Sequence, residues 1–118
     1  MANSKIKIRV NSQSFTATLL DNKSVNAFKS MLPLTMKMTE LNGNEKYFEL
    51  PNSLPTNPYK PETIKNGDLM LYGLKTFVLF YKTFSTPYSY TKLGSVDDVT
   101  GLVTALGPGN ITIIFELE

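Results

Sequence analysis

At 118 residues the chain has the length of one domain, and a hydrophobic content of 42% is enough for a single core. Twelve basic against ten acidic residues leave a net charge of +2, too even a balance for a nucleic-acid partner, and Arg9 is the only arginine. With no cysteine and no histidine, disulfides, thiolate or imidazole metal sites and Ser-His-Asp or Cys-His catalysis are excluded, and neither metal nor cofactor is expected.

Polar Met1-Ala2-Asn3-Ser4 runs directly into Lys5-Ile6-Lys7-Ile8-Arg9-Val10. Strict alternation there predicts a strand over 5–10 with one buried face and one basic, solvated face. The start lacks the apolar run of a signal peptide, and no apolar stretch approaches the roughly 20 residues of a membrane span. The chain reads as cytoplasmic; an exported protein whose signal segment lies outside this sequence is the alternative. Asn11-Ser12-Gln13 is turn chemistry, and a second strand over 14–20, with Phe15, Ala17 and Leu19 on one side, completes a hairpin. Asp21-Asn22-Lys23-Ser24 offers cap candidates for a helix over 25–32, in which Val25, Phe28 and Leu32 share a face and which Pro33 ends. A strand over 34–41, the turn signal Asn42-Gly43 and a returning strand over 45–50 form the next hairpin.

Residues 51–61 carry four prolines and read as a loop, either functional or simply wrapping the outside of a barrel. Asn66-Gly67 is a turn, followed by strands over 68–73 and 76–81 around Gly73-Leu74-Lys75. Phe77-Val78-Leu79-Phe80-Tyr81 is apolar on both faces, which predicts the most buried strand. Ser95 and Asp98 form a Ser-x-x-Asp capping box for a helix over 96–106, with Asp97-Asp98 as favourable N-terminal charge. Its stripe is Val99, Leu102, Val103 and Leu106; Gly101 costs it about 1 kcal/mol, and Gly107-Pro108 ends it. A last strand spans 111–117. The expected fold is mainly β, a single domain over 1–118: a closed barrel of about eight strands with two short helices.

Several local words in this order carry a resemblance. They are Asp21-Asn22-Lys23-Ser24-Val25 leading through Phe28 to Leu32-Pro33-Leu34-Thr35; Glu45-Lys46-Tyr47-Phe48; Gly67-Asp68-Leu69 through Phe80-Tyr81; and Tyr90-Thr91-Lys92-Leu93-Gly94. Across nearly the whole chain they resemble the bacterial cyclophilin-like proteins. The resemblance implies a cyclophilin-type barrel with helices closing its ends. In the isomerases of that fold, an arginine in a groove on the barrel wall donates to the twisted prolyl bond. That arginine would fall on the strand reading Tyr47-Phe48-Glu49, where none stands. Lys46 is a cation near the place, but a lysine is a hydrated point charge that cannot fork. Arg9 belongs to the solvated face of the first strand. The groove's glutamine, tryptophan and histidine have no counterparts either, since the only glutamine is Gln13, in a turn. No catalytic residue is assigned.

Aromatic side chains are the remaining candidates. Tyr81, Phe84, Tyr88 and Tyr90, with Pro87 among them, fall within ten residues, and Tyr47 and Phe48 stand on the strand that corresponds to the groove wall. Such rings suit an extended or proline-containing peptide, or a small apolar ligand. Tyr72 could share the wall, and residues 51–61 could form an opposite lip. The competing interpretation packs Tyr81 and Phe84 into the barrel and uses the tyrosines to seat a loop. The expectation is a non-enzymatic binding domain; a weak prolyl isomerase and a structural or oligomerising domain are the alternatives. The sequence sets no oligomeric state.

Overall fold

The computed structural model describes residues 4–118; the polar start at residues 1–3 lies outside the described residues. β1 (Ser4–Val10) and β2 (Gln13–Leu19) pair from Ser4 opposite Leu19 to Val10 opposite Gln13. Alternation sets their faces: Ile6, Ile8, Val10, Ala17 and Leu19 are buried. Lys5 and Arg9 stay outside, where they reach Asp97 at 2.8 Å and Glu116 at 2.6 Å. α1 (Lys23–Lys29) starts at Asn22, whose side-chain oxygen accepts the Val25 N–H at 2.8 Å. It ends three residues before Leu32, because the N–H groups of Met31 and Leu32 turn back to the carbonyls of Phe28 and Lys29.

β3 (Leu34–Leu41) and β4 (Glu45–Glu49) flank the Asn42-Gly43 turn. Residues 51–61 then wrap the outside. Leu54 is buried and donates its N–H to the Leu74 carbonyl, and Tyr59 bridges Tyr90. β5 (Thr63–Ile64) pairs with β8 (Phe84–Ser85) as a small separate sheet. Between them run β6 (Asp68–Tyr72) and β7 (Thr76–Phe80), the latter buried on both faces as its composition demands. β9 (Thr91–Val96), α2 (Leu102–Leu106) and β10 (Ile111–Leu117) complete the chain. Eight strands close into an antiparallel barrel in the order β1-β10-β3-β4-β7-β6-β9-β2.

The segment around β9 corrects the sequence reading. Ser95 and Asp98 form no capping box, because Ser95 lies within β9, opposite Thr18 of β2 and Asp68 of β6. Gly94 makes that pairing close: a Cβ there would collide with the Thr18 carbonyl oxygen and lie 2.9 Å from Leu19 Cα. Gly101 then adopts φ of 79°, a left-handed conformation that starts α2 instead of interrupting it. The helix is therefore half the expected length, burying Leu102 and Leu106 and leaving Val103 exposed. Asp97 and Asp98 lie outside its first turn. Asp97 accepts from Lys5 and Thr18, and Asp98 accepts the Thr100 N–H.

The two helices close opposite ends of the barrel, as follows from the strand ends they connect. Phe28 of α1 stacks on Phe77 at 5.0 Å, and Phe77 meets Phe115 edge-on at 5.1 Å. A second, smaller cluster lies on the outer face of the wall. It comprises Ile64, Met70, Val78, Phe80 and Tyr90, with Tyr47 and Phe84 packed against it.

Candidate functional site

β4 divides its side chains by period two. Lys46 and Phe48 face the barrel interior, whereas Glu45 and Tyr47 face outward beside Val78 of β7, which lies directly opposite Tyr47. On the adjoining side of the wall, Tyr72 ends β6, and the chain ahead of β9 lays Tyr88 and Tyr90 across it. The result is a cleft of about 300 Å³ along the outer face of β4 and β7, from Leu41 and Asn42 at one end to Tyr72 and Thr76 at the other.

Its aromatic wall is continuous with the outer cluster. Phe80 contacts Phe84 at 5.6 Å and Tyr90 at 5.5 Å; Tyr90 contacts Tyr72 at 5.6 Å, and Tyr72 meets Tyr88 at 6.2 Å. The inner rings anchor the outer ones. Tyr90 is 5% exposed, while Tyr72 and Tyr88 remain 47% and 57% exposed. Large apolar surface is thus held open to solvent on a rigid strand base.

The structure divides the six residues singled out from sequence. Tyr47, Tyr88 and Tyr90 meet in the cleft. Phe48 points the other way, against the barrel core, because it is adjacent to Tyr47 in a strand. Phe84 is half-buried against Phe80, behind the cleft wall. Tyr81 is buried at the barrel end. Tyr72 shares this wall, and the cleft also contains Glu45, Leu41, Asn42, Thr76 and Val78, which the sequence reading did not assign. The period-two link from Tyr47 to Glu45 was the available signal. Residues 51–61 do not form the lip; it is supplied by the β3–β4 turn.

Lys46 corrects another expectation. It is fully buried, not hydrated, because its inward position aims it at the barrel end closed by α2. Its ammonium donates to Glu40 Oε1 at 2.9 Å, to the Gly107 carbonyl at 2.7 Å and to the Gly109 carbonyl, so all three protons are used. Glu40 also accepts from the Tyr81 hydroxyl at 2.7 Å and the Gly43 N–H at 2.8 Å. Burial works to raise the Glu40 carboxyl, but these hydrogen bonds and the Lys46 charge outweigh it and hold the pKa below the ordinary value. Burial, followed by the Glu40 bond and charge, pushes the Tyr81 phenol up to about 12. This constellation ties the chain after α2 to the wall.

Glu45 has a different environment. Burial, with the Glu40 charge adding to it, raises its carboxyl to about 7. No ion pair reaches it among the described residues, and neither lysine nor arginine lines the cleft. Arg9 sits across the barrel, engaged with Glu116.

A closed antiparallel barrel, plugged by a helix at each end and grooved on its outer wall, defines the cyclophilin-type class. The sequence profile of the Cyclophilin-like family matches residues 8–116, and the chain belongs to that family. No curated protein matches the chain. Among solved structures it is similar to the hypothetical protein AF2241 from Archaeoglobus fulgidus, a solution structure. The two are 16% identical over 99% of this chain and 96% of that one, with a TM-score of 0.61, a likeness of fold. No helix among the described residues is long and apolar enough to cross a membrane.

Proposed function

We propose that this domain is a non-enzymatic binder that takes a small, largely apolar ligand in the outer-wall cleft. The observation that carries the reading is the solvent-exposed tyrosine surface, Tyr72 and Tyr88, held over a concavity on rigid strands. A volume of about 300 Å³ lies at the lower end of the range of small-molecule sites, which favours a compact ligand over an extended peptide. Prolyl isomerisation is disfavoured because no forked donor lines the cleft, while the reaction requires an amide barrier of about 18–20 kcal/mol to be lowered. A purely structural role leaves the exposed rings unexplained.

The test uses the neutral fluorophore N-phenyl-1-naphthylamine, followed by its emission and by amide shifts of β4 and β7. Binding is expected at the cleft, with Tyr88→Ala weakening it at least tenfold while changing stability by no more than about 0.5 kcal/mol, as for other exposed side chains. Shifts mapping elsewhere, or unchanged binding by the variant, would overturn the assignment. In parallel, a proline-peptide exchange assay is expected to show no acceleration over an uncatalysed relaxation of tens to hundreds of seconds. Rapid turnover would establish the isomerase reading instead.

A further inference from the structure

We propose that the preferred occupant of the cleft is a small organic cation, an alkylated ammonium, caged by Tyr47, Tyr72, Tyr88 and Tyr90 and neutralised by Glu45. The inference rests on the reading of the cleft as a ligand site and names the chemistry it selects.

Three observations converge. First, the tyrosines are not stacked: Tyr72 stands at 80° to Tyr88 and 54° to Tyr90, so ring faces and edges enclose the space from different directions. Ring faces carry negative potential and attract a cation placed over them, most strongly where water is excluded. Second, the one charge lining the cleft is a carboxylate. Third, that carboxylate has no counter-ion among the described residues. The ionisable groups bearing on it are Glu40 from β3, Tyr81 after β7 and Tyr90 ahead of β9, all of them acids. The phenols of Tyr47, Tyr72 and Tyr88 line the same space. Lys46, next to it in β4, faces inward and is committed to Glu40 and two carbonyls.

A partly buried, unpaired carboxylate is unfavourable in the free protein. A bound cation relieves that, and alkyl substituents on its nitrogen suit the apolar contacts from Leu41 and Val78. A bare, strongly hydrated ammonium would lose more solvation on entering and gain less contact. The free state keeps Glu45 partly protonated near neutral pH, so cation binding and loss of that proton are linked.

The test compares choline with its uncharged isostere 3,3-dimethylbutan-1-ol by titration calorimetry and amide shifts, using the whole chain. Choline is expected to bind at least tenfold more tightly than the isostere at pH 8. Its affinity should fall about tenfold between pH 8 and pH 6 as Glu45 takes up a proton, with no such fall for the isostere. Glu45→Gln should abolish the pH dependence and reduce the preference for choline to the part that the rings supply. Tyr72→Leu, which keeps apolar bulk, should weaken choline more than the isostere. Equal binding of both molecules at the cleft would refute the cation and leave the binding site standing. Failure of both molecules and of the neutral fluorophore would remove the site itself. Much tighter binding of a trimethyl-lysine peptide than of choline would overturn the small-molecule occupant.

Discussion

Lys46 and Glu45 are neighbours in one strand, and the pleat gives them opposite fates. The inward lysine spends all three protons on Glu40 and the carbonyls of Gly107 and Gly109. Lys46→Met would keep the aliphatic packing but strand a carboxylate and two acceptors, so a loss of about 3–5 kcal/mol is expected in urea unfolding. Adding Glu40→Gln should recover part of that loss. The outward glutamate works against stability. Its folded pKa of about 7 lies above the ordinary glutamate value of 4.5, so the native state binds more protons between those values. Stability should therefore be unaffected below about pH 4.5, decline as pH rises, and carry the full penalty above about pH 7. Glu45→Gln should abolish this slope, matching the parent at pH 4.5 and exceeding it at pH 8. After discounting for the solvent that reaches the group, a gain of about 1–2 kcal/mol is expected in thermal melts at the two pH values.

At the scale of elements, β9 depends on one position. Gly94 lets the strand lie against the backbone of β2 at Thr18 and Leu19. Gly94→Ala should push β9 outward and cost about 3 kcal/mol, seen as a lower denaturation midpoint and faster amide exchange in β2 and β9. The same feature explains which elements were legible in the sequence. β1 and β2 alternate strictly, and β3 alternates from Leu34 to Met38, a local signal that tertiary structure had only to accept. Thr91-Lys92-Leu93-Gly94-Ser95-Val96 has its glycine where close approach requires it, and its pairing partners lie far along the chain. Helical spacing at Val99, Leu102 and Leu106 therefore suggested a helix long enough to absorb Ser95. Pairing with β2 and β6 won, and the left-handed Gly101 allowed α2 only its last turns. In the site, the tyrosines were legible as an aromatic cluster because composition alone reveals them. Glu45 was not, since its significance is a matter of desolvation. That property arises only when the β3–β4 turn and the chain ahead of β9 close around it.

At the scale of the molecule, the barrel separates two apolar compartments. The interior is filled and the helices plug it, which leaves no room for a ligand among the packed side chains of Phe28, Phe77 and Phe115. The outer cluster packs under only part of its cover and keeps a cleft beside it. Stability and recognition thus fall on opposite faces of the same strands, β4, β6 and β7, so cleft residues can change without disturbing the barrel core. Closure has one more consequence. Because Ile6 lies opposite Leu117 where β1 and β10 pair, the beginning and end of the described chain share one rim. Sequence order is therefore separable from architecture. A circular permutant that joins these ends through a linker of about 4–6 residues, and opens the chain at the exposed Asn11-Ser12 turn, should rebuild the same barrel with β1 as its final strand. Matching amide spectra and retained binding at the Tyr88 cleft would confirm it; a molten or aggregated product would show that the β1–β2 turn is needed to begin folding.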